Sequence, residues 1–107
     1  MQNLLKETIE TIQDYNFNWP ADVDYICAHD WDIRGNVEIP ISLFEKVADR
    51  EYDNGYGCAE VDQSLMIVMK NGDYFVRDEY DGAESWEYIC VNHIRPTCIV
   101  KEYNPFS

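Results

Sequence analysis

Two adjacent residues, Asn71 and Gly72, constrain this chain more than any others. They are flanked by the alternating runs Ser64 to Lys70 and Asp73 to Glu79. Asn-Gly between two such runs is the strongest local signal for a β-hairpin, because both turn residues accept a positive φ. A two-residue loop then pairs Met69 with Tyr74, Ile67 with Val76, and Val68 with Phe75 on the opposite side. Asp81-Gly82 marks the next turn, and Ser85 to Val91 reads as a third strand. That strand places Trp86, Tyr88 and Cys90 on one face and Glu87, Ile89 and Val91 on the other. Thr97 to Tyr103 is the candidate fourth strand.

The N-terminal half reads differently. Leu5, Ile9 and Ile12 recur at helical spacing, with Leu4 and Tyr15 on the flanks of the stripe and Asn3 as the N-cap, so a helix is expected over residues 4 to 15. Val23, Tyr25 and Cys27 predict a strand running to about His29. Gly35-Asn36 predicts a turn, and Val37 to Ile41 a short edge strand bearing Pro40. Ser42 and Glu45 form a capping box, which predicts a second helix over 43 to 52 that Asn54-Gly55 stops. The expected fold is therefore α+β: an N-terminal helix, a short strand, a second helix, then a three- to four-stranded antiparallel sheet with hairpin turns at 71-72 and 81-82. With 107 residues and no linker, residues 1-107 form a single domain.

Charge is the second constraint. Asp and Glu number 21 against 8 Lys and Arg, a formal charge of -13. Aromatic residues make up 14 % of the chain, which separates it from disordered acidic tails. A charge of this sign repels phosphates, so direct nucleic-acid binding and attachment to anionic membranes are not expected. No stretch approaches a membrane span, and Met1 to Tyr15 lacks the features of a signal peptide. A cytoplasmic protein is the expectation. The electrostatically matched partner is a basic protein surface.

The acids fall into three clusters, each holding aromatics. Asp22, Asp24, Asp30 and Asp32 surround Tyr25 and Trp31. Asp49, Glu51, Asp53, Glu60 and Asp62 surround Tyr52 and Tyr56. Asp78, Glu79, Asp81, Glu84 and Glu87 surround Tyr80 and Trp86. Two readings stand side by side. The clusters are a solubilising surface with the aromatics turned inward, or they form a binding face on which carboxylates replace phosphates and aromatics supply hot spots. On the second reading the partner-binding residues are Asp49, Glu51, Asp53, Tyr56, Asp78, Glu79, Tyr80, Asp81, Glu84, Trp86 and Glu87.

Metal and catalytic readings are weaker. Asp49 to Glu60 resembles an EF-hand loop, but its glycine falls one position late and Glu51 is longer than the usual third ligand. Cys90, His93 and Cys98, or Cys27 and His29, offer zinc-type ligands without the paired spacing of structural sites. No cofactor is expected. His29 and His93 are the chain's histidines, and neither stands in a nucleophile motif, so enzymatic activity is not expected.

The Asn71-Gly72 hairpin and the segment Glu79 to Glu87 are similar to patterns in small phage proteins. Over roughly residues 47 to 90 the chain resembles the small acidic bacteriophage and mobile-element proteins that inhibit host defence, the anti-CRISPR and anti-restriction groups. The resemblance implies a non-enzymatic inhibitor that binds a CRISPR or restriction nuclease in the host cytoplasm through an acidic face. It assigns no role to any single residue. The alternative is an acidic interaction module such as an immunity protein or an adaptor, and a third reading is a metal-binding regulator.

Overall fold

The computed structural model describes residues 2–53, 60–80, 83–90, 95–96 and 98–106. Along the chain these form β1 (Gln2–Asn3), α1 (Leu4–Asp14), β2 (Val23–Asp30), β3 (Gly35–Ile39), α2 (Ile41–Val47), β4 (Glu51–Tyr52), β5 (Met66–Met69), β6 (Tyr74–Tyr80), β7 (Ala83–Ile89) and β8 (Cys98–Ile99). The class is α+β, as expected, but the sheet is larger. Six strands lie in the order β7-β6-β5-β2-β3-β8, and β1 and β4 form a separate two-stranded ribbon. The large sheet is mixed, because β8 joins β3 in parallel.

Both helices cover one face of this sheet. Leu4 and Ile12 from α1 and Phe44 from α2 pack with Ile26, Ile39, Ile67, Met69 and Phe75, all 1 % exposed or less. Full burial of one such side chain contributes about 1.5–3 kcal/mol. Helix α1 starts where expected, with the Asn3 side chain accepting from the Lys6 N–H at 3.0 Å. Its buried stripe is Leu4, Thr8 and Ile12, with Glu7 beside it, and Leu5 only packs at the margin. The inward face is thus rotated from the expected one, because Thr8 satisfies its own hydroxyl on the Leu4 carbonyl at 2.7 Å and can be buried.

Several local expectations are corrected. Gly35 and Asn36 belong to β3, and the β2–β3 turn is 31–34, with Arg34 at φ 55°. Helix α2 begins at Ile41 behind Pro40, and no side chain caps it. The Ser42–Glu45 box is not made, and the Glu45 carboxylate instead accepts from the Trp19 indole at 3.1 Å. The helix ends at Val47, and Glu51 and Tyr52 turn into β4. The expected stop at Asn54-Gly55 lies outside the described residues. Strand β8 spans only Cys98–Ile99 of the expected 97 to 103.

The β5–β6 hairpin exists, but with a three-residue loop. The Gly72 N–H donates to Met69 at 3.0 Å, Gly72 takes φ 96°, and the Met69 N–H donates to Asp73 at 2.8 Å. A tight turn followed by a left-handed residue is the usual three-residue solution. It shifts the register by one: Ile67 faces Phe75, and Val68 faces Tyr74. Residues 75 and 77 of β6 then point to the helix-covered face, which brings Arg77 inside. Beyond it, β6 and β7 pair from Tyr74↔Ile89 to Tyr80↔Ala83. The turn residues Asp81 and Gly82 lie outside the described residues.

The opposite face carries Tyr25, Cys27 and Val68, with Met66 and Tyr74 packed beside them. Arg95 crosses it. Its guanidinium lies 5.1 Å from the Tyr25 ring centroid and forks onto Glu38 at 2.7 and 2.6 Å, with Asp24 at 2.9 Å.

Candidate functional site: the acidic end of the sheet

Strand register decides which acids meet. Met66 lies level with Cys27 on one side and with Val76 on the other. Strand β2 runs on from Cys27 to Asp30, and β6 runs on from Val76 to Tyr80. Both therefore project at the same end of the sheet, two strand spacings or roughly 10 Å apart. The chain that enters β5 fills the space between them. There Asp62 accepts from Ser64 N–H and Oγ at 2.9 and 2.7 Å and from the Tyr103 hydroxyl at 2.8 Å. Asp30 braces the β2–β3 turn by accepting from the Asp32 N–H at 2.9 Å.

Glu84 ties the second and third sequence clusters together. Its carboxylate accepts from the backbone N–H groups of Glu60 at 2.7 Å and Val61 at 3.0 Å. Glu60 in turn accepts from the Asp53 N–H at 3.2 Å. Acids from three separate stretches of chain, Asp30 and Asp32, then Asp53, Glu60 and Asp62, then Asp78 and Glu79, thus gather at one end of the molecule.

Beneath this end lies a buried charge network. Arg77 is fully buried between Glu7 and Glu84, 3.5 Å from each. Its Nη2 donates to the Tyr52 hydroxyl at 3.0 Å, and that hydroxyl donates to Glu7 at 2.5 Å. The guanidinium also stacks on Trp86, 4.8 Å from the ring centroid. Nε has no hydrogen-bond partner among the described residues. Burial pushes the Glu7 carboxyl above its ordinary range, against the lowering effects of Tyr52 and Arg77. The Tyr52 phenol is raised as well, by burial first and then by its bond to Glu7.

This geometry corrects two expected contact residues. Glu84 is 3 % exposed and Trp86 8 % exposed. Glu79 and Glu84 are directly opposed across the hairpin, where like charges repel; Glu84 turns inward to Arg77 and to two backbone donors. Trp86 sits on the helix-covered face, and its indole donates to Thr8 at 3.0 Å. Both side chains are turned away from the surface. Asp78, Glu79, Tyr80 and Glu87 are exposed, Tyr80 at 82 %. Asp49 and Glu51 line a different depression, beside Lys6 and Ile9 at the start of α1, and Asp49 accepts from Asn3 there at 3.0 Å. Tyr56 and Asp81 lie outside the described residues.

Two adjoining depressions of about 400 and 350 Å³ open at the acidic end and share His29, Trp31, Asp62 and Asn104. Val61 and Phe106 floor one, and Val37 and Val100 the other, while Asp30, Asp32 and Glu102 complete the wall. Trp31 stands at the mouth with 81 % of its surface exposed and the His29 ring against it edge to face, 4.3 Å between centroids. Trp31 is not among the partner-binding residues expected from the sequence. The signal available in the sequence is a tryptophan between two aspartates at a turn, a position with no neighbouring strand to cover it.

Serine, histidine and aspartate meet here, but their bonding is structural. The Ser64 hydroxyl donates to Asp62 and accepts from the His29 backbone N–H at 2.9 Å, while the His29 ring packs on Trp31. No hydrogen bond joins that imidazole to the hydroxyl among the described contacts.

No group of three candidate ligands comes together among the described residues. Cys90 follows one edge strand and Cys98 lies in the other, five strand spacings or roughly 24 Å apart. Cys27 is a buried thiol pushed up to about 11 by burial and then by Glu38. Residues 54–59 of the EF-hand-like stretch, Cys58 and His93 lie outside the described residues. No described helix is long and apolar enough to cross a membrane.

Comparison of the chain with family models, with curated proteins and with solved structures returns no match.

Proposed function

We propose that this domain is a non-enzymatic binding protein whose acidic end occupies a Lys/Arg-lined, nucleic-acid-binding surface of a nuclease, in the manner of anti-CRISPR and anti-restriction inhibitors. One observation carries the reading: acids from three separate stretches of chain gather at the same end of one sheet. A surface that served only solubility would not need this convergence. The contacts come from Asp30, Asp32, Asp53, Asp78, Glu79, Tyr80 and Glu87. The rigid sheet holds the carboxylates in place, so little ordering entropy opposes association. Competition with phosphates is the mechanism, and attraction between the two charged surfaces steers encounter.

The test is inhibition of DNA cleavage by a panel of purified CRISPR effectors and restriction nucleases, with affinity measured at low and high salt. Inhibition is expected for at least one enzyme. Its affinity should fall steeply as salt screens the contacts and should drop at least tenfold in the Asp30→Asn, Asp32→Asn, Asp78→Asn, Glu87→Gln variant. Binding that is indifferent to salt would overturn the reading, and so would a complete lack of inhibition across the panel.

A further inference from the structure

The groove beside Trp31 is more than a part of the acidic surface. A carboxylate on open ground leaves a partner's cation much of its water. Here the ground is concave, the floor is apolar, and an indole face stands open at the mouth. Asp30, Asp32, Asp62 and Glu102 line it, and among the described residues neither depression has a lysine or arginine in its lining. The tip is also held in shape. Asp30 accepts from the turn N–H of Asp32, and Asp62 is fixed by Ser64 and Tyr103. A tryptophan left 81 % exposed on a held turn offers a large aromatic face that needs no rearrangement to be used.

We propose that this groove is a specific receptor for an arginine side chain of the partner. The inference rests on the basic-partner reading above and names the contact at its centre. A guanidinium suits the three features together. Its plane stacks on the Trp31 indole. Its weak hydration lets it enter beside the apolar floor, and its forked donors match carboxylates two at a time. A lysine ammonium would meet the same charge but would lose the stacking and the paired geometry.

The whole chain, labelled with nitrogen-15, is titrated at low salt with two capped peptides, tetra-arginine and tetra-lysine. The Trp31 indole N–H and the His29 amide should shift most. Tetra-arginine should bind several-fold more tightly than tetra-lysine. Trp31→Ala should weaken tetra-arginine binding about five- to tenfold and bring the two peptides level. The side chain is exposed, so this variant is expected to fold, and its amide spectrum checks that it does. Asp78→Asn with Glu87→Gln should reduce both affinities alike and leave the preference for arginine intact.

Equal affinity of the two peptides for the natural chain would overturn the receptor while leaving the acidic surface standing. An arginine preference that survives Trp31→Ala would do the same. Failure of both peptides to bind at low salt would remove the basic-partner reading and this inference with it.

Discussion

Arg77 and Glu84 lie 3.5 Å apart on neighbouring strands, and both side chains are completely withdrawn from solvent. Removing one member of such a pair leaves an uncompensated charge in the interior, which costs about 3–5 kcal/mol. Arg77→Met strands two carboxylates, Glu7 and Glu84, and is expected to lose at least this much. Glu84→Ala also leaves the Glu60 and Val61 N–H groups without their acceptor. Urea denaturation should show both variants strongly destabilised. A Glu84→Ala protein as stable as the natural one would contradict the buried assignment.

Proton uptake by Glu7 gives the domain a pH dependence of definite sign. Burial raises the folded-state pKa above its ordinary 4.5. The stabilising contribution of this group is therefore full below the unfolded value and is lost as pH rises through the folded one. Thermal stability should increase as pH falls through the raised Glu7 value toward 4.5. Surface repulsion from the -13 charge acts in the same direction, so the comparison that matters is with Glu7→Gln. That variant should show a shallower pH slope; parallel slopes would exclude Glu7 as a source.

The indole of Trp86 depends on one acceptor, the Thr8 hydroxyl. Thr8→Val keeps the shape and removes the oxygen, so a buried donor loses its partner, at about 1–3 kcal/mol. Urea midpoints of the two proteins would measure the difference. Thr8→Ser retains the oxygen and should recover most of it.

Gly72 holds φ 96° in the hairpin loop. Gly72→Ala places a side chain in that region at a cost of about 1–2 kcal/mol, while Gly72→Asn is tolerated better. Equal stability of glycine and alanine there would show that the turn is not the three-residue form.

Cysteine reactivity should divide by position. Cys90 and Cys98 are exposed, whereas Cys27 is buried and its thiol is pushed up to about 11. Iodoacetamide at pH 8 should alkylate the first two while Cys27 resists until the protein unfolds. Peptide mapping of the labelled protein would show a labelled Cys27 in native protein if this were wrong.

Local signals were readable where the chain interacts with itself nearby. The Asn3 cap, the α1 span and the Asn71-Gly72 hairpin all rest on residues a few positions apart. Loop length was not readable, since Asn-Gly serves a two-residue and a three-residue turn alike. That one residue decides whether Arg77 faces water or the core. The alternation in β7 correctly grouped Trp86 with Tyr88, but it could not say which face was inward, because Glu84 shares that face. Pro40 displaced the Ser42 capping box by starting the helix earlier. The parallel pairing of β8 with β3 joins residues some sixty positions apart and leaves no local mark. For the same reason the meeting of the acids at one end followed only from the strand order.

That strand order has a consequence for dividing the chain. β2 and β3, from its first half, lie between β5 and β8 from its second. A cut between Asp53 and Glu60 would leave each fragment with bare strand edges and half a core. Neither piece should fold alone, and each should tend to aggregate through those edges. Mixed together, the two should complement one another and restore the native amide spectrum, so that the domain behaves as two interlocked halves of a split protein.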